Sequence, residues 1–242
     1  MFRKIRGIIF WVLLISLAFI FVFNGFQLIQ KVSDYSNAEK EYSELKKFSP
    51  IIPTGSATPS ATLDFKNINS DYVGWIRAEG TNIDYPMVKS NDDTYYLQHT
   101  FKRQKNSVGA IFLDYRNKSD FSDKNTVIFG HHMRNDTMFA QLNLYKNSYF
   151  ANLHPFVIID TPVKHLKYEY FASYIMPSNK NILMFNFPDE KAFSNYISVS
   201  KAQSAYKSKM KFTKDDKILT LITCTYEYDN ARYVVHFKLV ST

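Results

Sequence analysis

After a basic tip of Arg3, Lys4 and Arg6, the chain runs without a charge from residue 7 to 23 through Ile, Phe, Leu, Val, Trp and Ala. As a helix that run is about 26 Å long, close to the roughly 30 Å core of a bilayer once Asn24, Gly25 and Phe26 extend it. The basic flank predicts a cytoplasmic amino terminus. No A-x-A-like site follows the run, which argues for an uncleaved anchor rather than a signal peptide. From 27 to 48 the pattern turns polar, with Leu28, Val32, Tyr35, Tyr42 and Leu45 at loosely helical spacing; this reads as a juxtamembrane helix or as a solvated spacer. Residues 49–62, SPIIPTGSATPSAT, are too rich in Pro, Ser, Thr and Gly to build a core and read as a linker. The chain therefore divides into a basic tip and anchor (1–26), a stalk and linker (27–62) and an external domain (63–242).

Within that domain short apolar runs dominate, predicting strands at 74–77, 83–88, 110–115, 126–129, 156–159, 166–175, 218–223 and 231–240. Helical periodicity occurs at 137–149 and at 190–206, where Phe193, Tyr196, Ile197 and Ser200 share a face. Many short strands at this spacing predict a mainly β domain, a sandwich or barrel, with helices as excursions between strands. There are no internal repeats. About 180 residues suffice for one core and are too few for two ordinary ones.

Charge and cysteine usage narrow the setting. Of the formal charge of +8, the amino-terminal tip carries three, leaving a mildly basic remainder suited to an anionic envelope polymer. The lysines are scattered rather than striped, so nucleic acid is not an expected partner. The few glycines form no phosphate-binding loop, and no nucleotide or other cofactor is expected. One cysteine permits no internal disulfide. An exported domain that keeps a single thiol, exposed to oxidation, points mildly to a nucleophile.

That thiol, Cys224, ends the apolar run 218–223, and a second run begins at Ala231. Cys224 and Arg232 lie symmetrically about Tyr228, so an antiparallel hairpin makes them cross-strand neighbours. A cation beside a thiol favours the nucleophilic thiolate. A small buried hydrophobe is the competing reading. Upstream, NTVIFGHHM ends a strand on Gly130 and delivers His131 and His132. A cysteine with a histidine far off in sequence is the layout of a nucleophile and its base, which meet in space. Adjacent strand residues point to opposite faces, so the two histidines make a poor metal site, and with no HExxH, CxxC or acidic loop no metal is expected. His99, His154 and His165 lie in polar segments and read as surface residues, whereas His236 shares a strand face with Arg232 and is a candidate for the same cleft.

The order of these features, TLxTC at 220–224, an Arg eight residues on, a GH strand end upstream and a basic anchor, resembles a sortase. The stretch INSDYVGWIRAEGTNIDYPMV at 68–88 is similar to the opening of a class B sortase catalytic domain, and the resemblance covers about residues 63–242. It implies a closed barrel of about eight strands with added helices. It also implies a membrane-anchored cysteine transpeptidase that cleaves a secreted protein after the Thr of an NPxTN- or PxTG-like sorting motif and transfers the acyl group to an amine of a peptidoglycan precursor. In that mechanism Cys224 is the nucleophile, His131 the general acid and base, and Arg232 the stabiliser of oxyanion or substrate. Thr223 matches the residue before the nucleophile, whereas Ile222 stands where some members carry Ser. Thr223, Tyr196, Ile197 and Leu97 are candidates for substrate contact, with core packing the alternative for the helix residues. The competing functions are an exported cysteine peptidase that releases its acyl-enzyme to water and a non-catalytic envelope binding module with a buried thiol.

Overall fold

The structure, a computed structural model, describes residues 2–50, 64–178 and 183–242. The linker read at 49–62 lies almost entirely outside the described residues. Eight strands form: β1 (Tyr72–Ala78), β2 (Asp84–Val88), β3 (Ile111–Leu113), β4 (Asn125–Phe129), β5 (Phe156–Asp160), β6 (His165–Pro177), β7 (Ile218–Cys224) and β8 (Ala231–Ser241). They close into a barrel in the order β1-β2-β3-β4-β7-β8-β6-β5, with β5 pairing back onto β1. Two neighbouring pairs, β2–β3 and β4–β7, are parallel. Each expected strand is present, within a few residues of its expected ends.

The run ILTLIT in β7 is buried at every position because both of its faces are covered, and four of its six residues are apolar. Leu219 and Leu221 point into the barrel with Tyr233, Val235 and Phe237. Ile218 and Ile222 point outward, where two layers cover them. One is α4 (Glu190–Gln203), which lays Phe193, Tyr196 and Ile197 on Phe171, Ala172 and Ile218. The other is the segment carrying Leu183 and Phe185, which covers Val127, Tyr174, Met176, Ile222 and Val234. Asp189 caps α4 by accepting from the Ala192 amide at 2.7 Å. The helix stops at 203 rather than 206 because Ser204 turns extended and gives its Oγ to the Ser173 amide at 3.1 Å. The helix expected over 137–149 is instead a 3-10 segment, Ala140–Lys146, broken by extended Asn147, whose side chain caps a short α3 (Ser148–Leu153). A one-turn α2 (Phe65–Ile68) and a 3-10 turn at Tyr95–Leu97 complete the elements beyond the amino-terminal helix.

That helix, α1 (Phe2–Lys46), is one continuous 45-residue element. Its first part is exposed and long and apolar enough to cross a membrane. Its end packs on the barrel through Ala38, Tyr42 and Leu45, all buried. The Tyr42 hydroxyl donates to the Gly109 carbonyl at 2.7 Å and accepts from the Phe101 amide at 3.2 Å. Glu41 accepts from the Thr100 hydroxyl and the Lys102 amide, each at 2.8 Å. The juxtamembrane stretch is therefore helical and docked rather than a solvated spacer, although Leu28 and Val32 remain exposed.

Under α4, His236 is fully buried. Thr220 Oγ1 donates to Asn125 Oδ1 at 2.7 Å, so it accepts from His236 Nδ1 at 2.9 Å, and Nε2 then accepts from the Tyr174 hydroxyl at 3.1 Å. His236 shares a face with Arg232 as expected, but lies farther along the strand beneath the helix and does not line an open cleft. Burial pushes its pKa down from 6.5 to about 3. Below pH 6.5 the unfolded chain gains a proton here that the folded chain refuses. Stability present above that pH is then lost as pH falls toward 3, by up to about 1.4 kcal/mol per pH unit. Thermal unfolding of the detergent-solubilised chain should drop through this window, and His236→Gln should flatten the drop; an unchanged slope in that variant would assign the acid sensitivity to other groups.

Candidate active site

Cys224 is the last residue of β7 and is half-buried. Its partner across the hairpin is Arg232. Because side chains alternate along the strands, Cys224 follows Ile222 and Arg232 follows Val234 onto the outer face of the barrel. Both therefore border the apolar patch formed by Ile222, Val234, Tyr174 and Met176. The guanidinium is half-buried and donates to the Ala231 carbonyl at 3.2 Å. No carboxylate among the described residues forms an ion pair with it, so donors on its fork remain for an incoming group.

The histidine arrives through the parallel neighbour. In the β4–β7 ladder Phe129 lies beside Ile222, and the Gly130 amide adds one more rung to the Ile222 carbonyl at 3.2 Å. Two residues past each of these partners come His131 and Cys224, so the chain delivers them level at the same edge. Gly130 is required there for space. A Cβ would stand 2.5 Å from Ile111 Cδ1 and 2.8 Å from the Phe139 ring. His131 Nε2 donates to the Leu97 carbonyl at 2.8 Å, since a carbonyl can only accept. Its Nδ1 has no hydrogen-bond partner among the described residues, and no hydrogen bond joins the ring to the thiol there. Such contacts in an unliganded site often tighten only with substrate in place.

The four candidates for substrate contact fall in different places. Leu97 is on the rim, its carbonyl holding His131, beside a cleft of about 730 Å³ that also reaches Asn106 and, on α1, Gln30, Ser33 and Asp34. Thr223 is buried and, one residue out of phase with Cys224, turns into the barrel, where its Oγ1 has no hydrogen-bond partner among the described residues. Tyr196 and Ile197 lie in the packing between α4 and the sheet, 6% and 4% exposed, with Tyr196 against Phe187 and His236. The two adjacent histidine rings serve separate carbonyls, and no group of three or more His, Cys, Asp or Glu among the described residues could hold a metal ion.

Sequence reasoning left His132 without a role. Its Nδ1 bonds the Cys224 carbonyl at 2.9 Å, and Tyr226, just past the nucleophile, donates its hydroxyl to the His132 carbonyl at 3.1 Å. The turn after Cys224 is tied down further by Glu227, which takes the Thr225 hydroxyl and the Lys146 ammonium. The contacts of this turn with His132 and Lys146 span 81 to 94 residues, and only the closeness of Tyr226 to the cysteine marks any of them in sequence. A thiol at a strand end, a cation opposite and an imidazole just past the end of the neighbouring strand can together perform nucleophilic acyl transfer.

A family model described as the sortase domain matches residues 76–240. Sortase B of Listeria monocytogenes is 39% identical over 180 residues, covering 74% of this chain and 73% of the relative. Among solved structures, Clostridium perfringens sortase B aligns with a TM-score of 0.71 at 38% identity, covering 74% of this chain and 98% of that one. A Staphylococcus aureus sortase B–substrate complex aligns with a TM-score of 0.76 at 25% identity, covering 87% and 99%.

The placement of Tyr196 separates a packing role from a binding role. Tyr196→Ala should cost about 3 kcal/mol or more by leaving a cavity under α4, lowering Tm by roughly 6–10 °C, while KM for a peptide substrate stays within a few-fold of the parent. A large rise in KM at unchanged Tm would put the side chain in the binding site instead.

Proposed function

The chain belongs to the sortase family and is a sortase-type cysteine transpeptidase of the B class. From that premise we propose that it is held in a membrane by residues 7–26, with the basic tip cytoplasmic and residues 63–242 outside. There it cleaves secreted proteins after the Thr of an NPxTN- or PxTG-like sorting motif and transfers the acyl group to an amine of a peptidoglycan precursor. The observation that carries the catalytic assignment is the convergence of Cys224, Arg232 and His131 at one edge of the sheet. The sortase B–substrate complex of Staphylococcus aureus supports a site on this fold that takes a sortase substrate.

In this reading the Cys224 thiolate attacks the Thr carbonyl carbon, and the carbonyl π electrons move to oxygen. Arg232 stabilises that oxygen or the neighbouring peptide backbone with paired donors. As the tetrahedral intermediate collapses, the C–N bond breaks and His131 gives a proton to the leaving amine, leaving a thioester on Cys224. Neutral His131 then takes a proton from the acceptor amine, whose nitrogen attacks the thioester and regenerates the thiolate. Cys224 is half-buried just past the cover that Leu183 and Phe185 place over Ile222, Val234 and Tyr174, a position open to a peptide that arrives at the end of β7.

Mass spectrometry of the full chain in detergent with sorting-motif peptides should reveal an acyl adduct on Cys224. An added amine should convert the adduct to a new peptide bond, and Cys224→Ala should form neither species. Turnover in Cys224→Ala would sink the mechanism; an adduct released only to water would make the enzyme a peptidase under those conditions.

Arg232→Lys separates a directed fork from a mere charge. Lysine keeps the cation but cannot offer a planar pair of donors, and losing one such donor typically costs about 100- to 1000-fold in rate. Acylation should fall by that order while a small alkylating reagent still modifies Cys224 within a few-fold of the parent rate. If both rates fall together, Arg232 acts through the thiol; if neither falls, it is a bystander.

A further inference from the structure

The backbone bond between β4 and β7 stops one rung short of the cysteine. Gly130 donates to the Ile222 carbonyl at 3.2 Å. In a parallel ladder the following rungs would run from the Cys224 amide to the Gly130 carbonyl and then from the amide of residue 132 to the Cys224 carbonyl, and neither backbone bond forms among the described residues. The chain has left the strand by then, and the carbonyl of Cys224 meets the imidazole of His132 instead, Nδ1 donating at 2.9 Å. A side chain has taken the place of the missing backbone donor.

Its surroundings hold the imidazole in the form that this rung needs. Asn143 Nδ2 lies 3.3 Å from Nε2, and an amide nitrogen can face that atom only if Nε2 bears a lone pair, which leaves the proton on Nδ1. The arrangement leaves Asn143 Oδ1 buried with no partner among the described residues. Tyr226 closes the other side, its ring centroid 4.9 Å from that of His132 and its hydroxyl on the His132 carbonyl.

We propose that His132 is a positioning residue for Cys224: its Nδ1–H supplies the last rung of the β4–β7 ladder and fixes the strand end from which the nucleophile reaches the substrate carbonyl. The inference rests on Cys224 being the nucleophile. Without the rung, the end of β7 keeps its backbone bond on the β8 side, where the Thr225 amide donates to the Ala231 carbonyl at 3.1 Å, and loses the bond to its own last carbonyl on the β4 side. The thiol would then spend less time in line for attack, which lowers the acylation rate without removing any group that touches the substrate.

The test compares His132→Ala with His132→Asn in the full chain, because Asn Nδ2 can stand where imidazole Nδ1 stood. His132→Ala should lower kcat for peptide cleavage about 10-fold with KM within about 3-fold, the scale of one lost hydrogen bond. His132→Asn should recover to within about 3-fold of the parent. Hydrogen exchange read over residues 223–227 needs no substrate: it should speed up about 10-fold in the Ala variant, return toward the parent in the Asn variant, and leave the other barrel strands unchanged. Parental exchange and kcat in His132→Ala, or an Asn variant no better than Ala, would overturn the role. If exchange behaves as expected but Cys224→Ala still cleaves peptide, the rung is real and the nucleophile assignment has failed.

Discussion

Everything at the active edge depends on β4 and β7 running parallel. Antiparallel neighbours would deliver their last residues to opposite edges of the sheet; parallel ones end together. The five aligned pairs from Asn125 beside Ile218 to Phe129 beside Ile222 thus carry two stretches, distant in sequence, to one edge. Side-chain alternation makes the register exacting, since a slip of one residue would turn Cys224 into the barrel and Thr223 out to the groove. Burial opposes that slip. Leu219 and Leu221 already fill the interior, while Thr220, on the outward face, is tied to Asn125 and His236. The polar trio lies under α4, with Asn125 at the start of β4 and Thr220 and His236 inside their strands, and it adds a directional constraint on register to that of apolar packing.

The same outer face changes character along its length. At the Thr220 end it is sealed by α4, and His236 is held neutral by burial. Toward Cys224 the helix gives way to Leu183 and Phe185, which keep Ile222 and Val234 buried, and past them the thiol and Arg232 are half-buried. The candidate nucleophile thus becomes accessible where the cover ends. Each catalytic candidate also sits at or just past the end of a regular element, with its neighbours in the ladder holding it in place.

Much of this was legible in the chain because strands such as β3, β4 and β7 are short and buried on both faces, so that apolar runs mark them directly. The Cys224–Arg232 pairing could be read from a local hairpin centred on Tyr228, in which loop length dictates register. The level placement of His131 and Cys224 could be anticipated only through resemblance, since no local pattern sets a parallel register between distant segments. The periodicity of α4 marked Phe193, Tyr196 and Ile197 as one face but not which surface that face meets; the structure turns it onto Phe171 and Ile218. The break at Asn147 was hidden because the same polar residue serves as a helix interior position or as a cap, and here the cap prevails. His132 escaped notice because its partner is a backbone carbonyl, which every residue carries.

The docking of α1 could not be read because its partners, Gly109, Phe101, Thr100 and Lys102, are some 60 residues away. Its consequence reaches the active edge. The helix is continuous, so the eight residues between Phe26 and Asp34 rise about 12 Å along its axis. Over that rise Leu28, Ile29 and Val32 remain exposed, extending the apolar surface almost to the point of docking. With residues 7–26 in a bilayer, as proposed, these side chains fall at the interface, where an apolar body and a wet neighbourhood coexist. The cleft between Asp34 and His131 then stands just beyond the headgroups. A flexible stalk of equal length would let the barrel wander over a range of heights and tilts; a helix pinned by Tyr42 and Glu41 holds the His131 side of the site toward the membrane. If residues 7–26 lie in a bilayer as proposed, the packing of three buried helix residues, Ala38, Tyr42 and Leu45, makes that anchor a constraint on the orientation of the barrel.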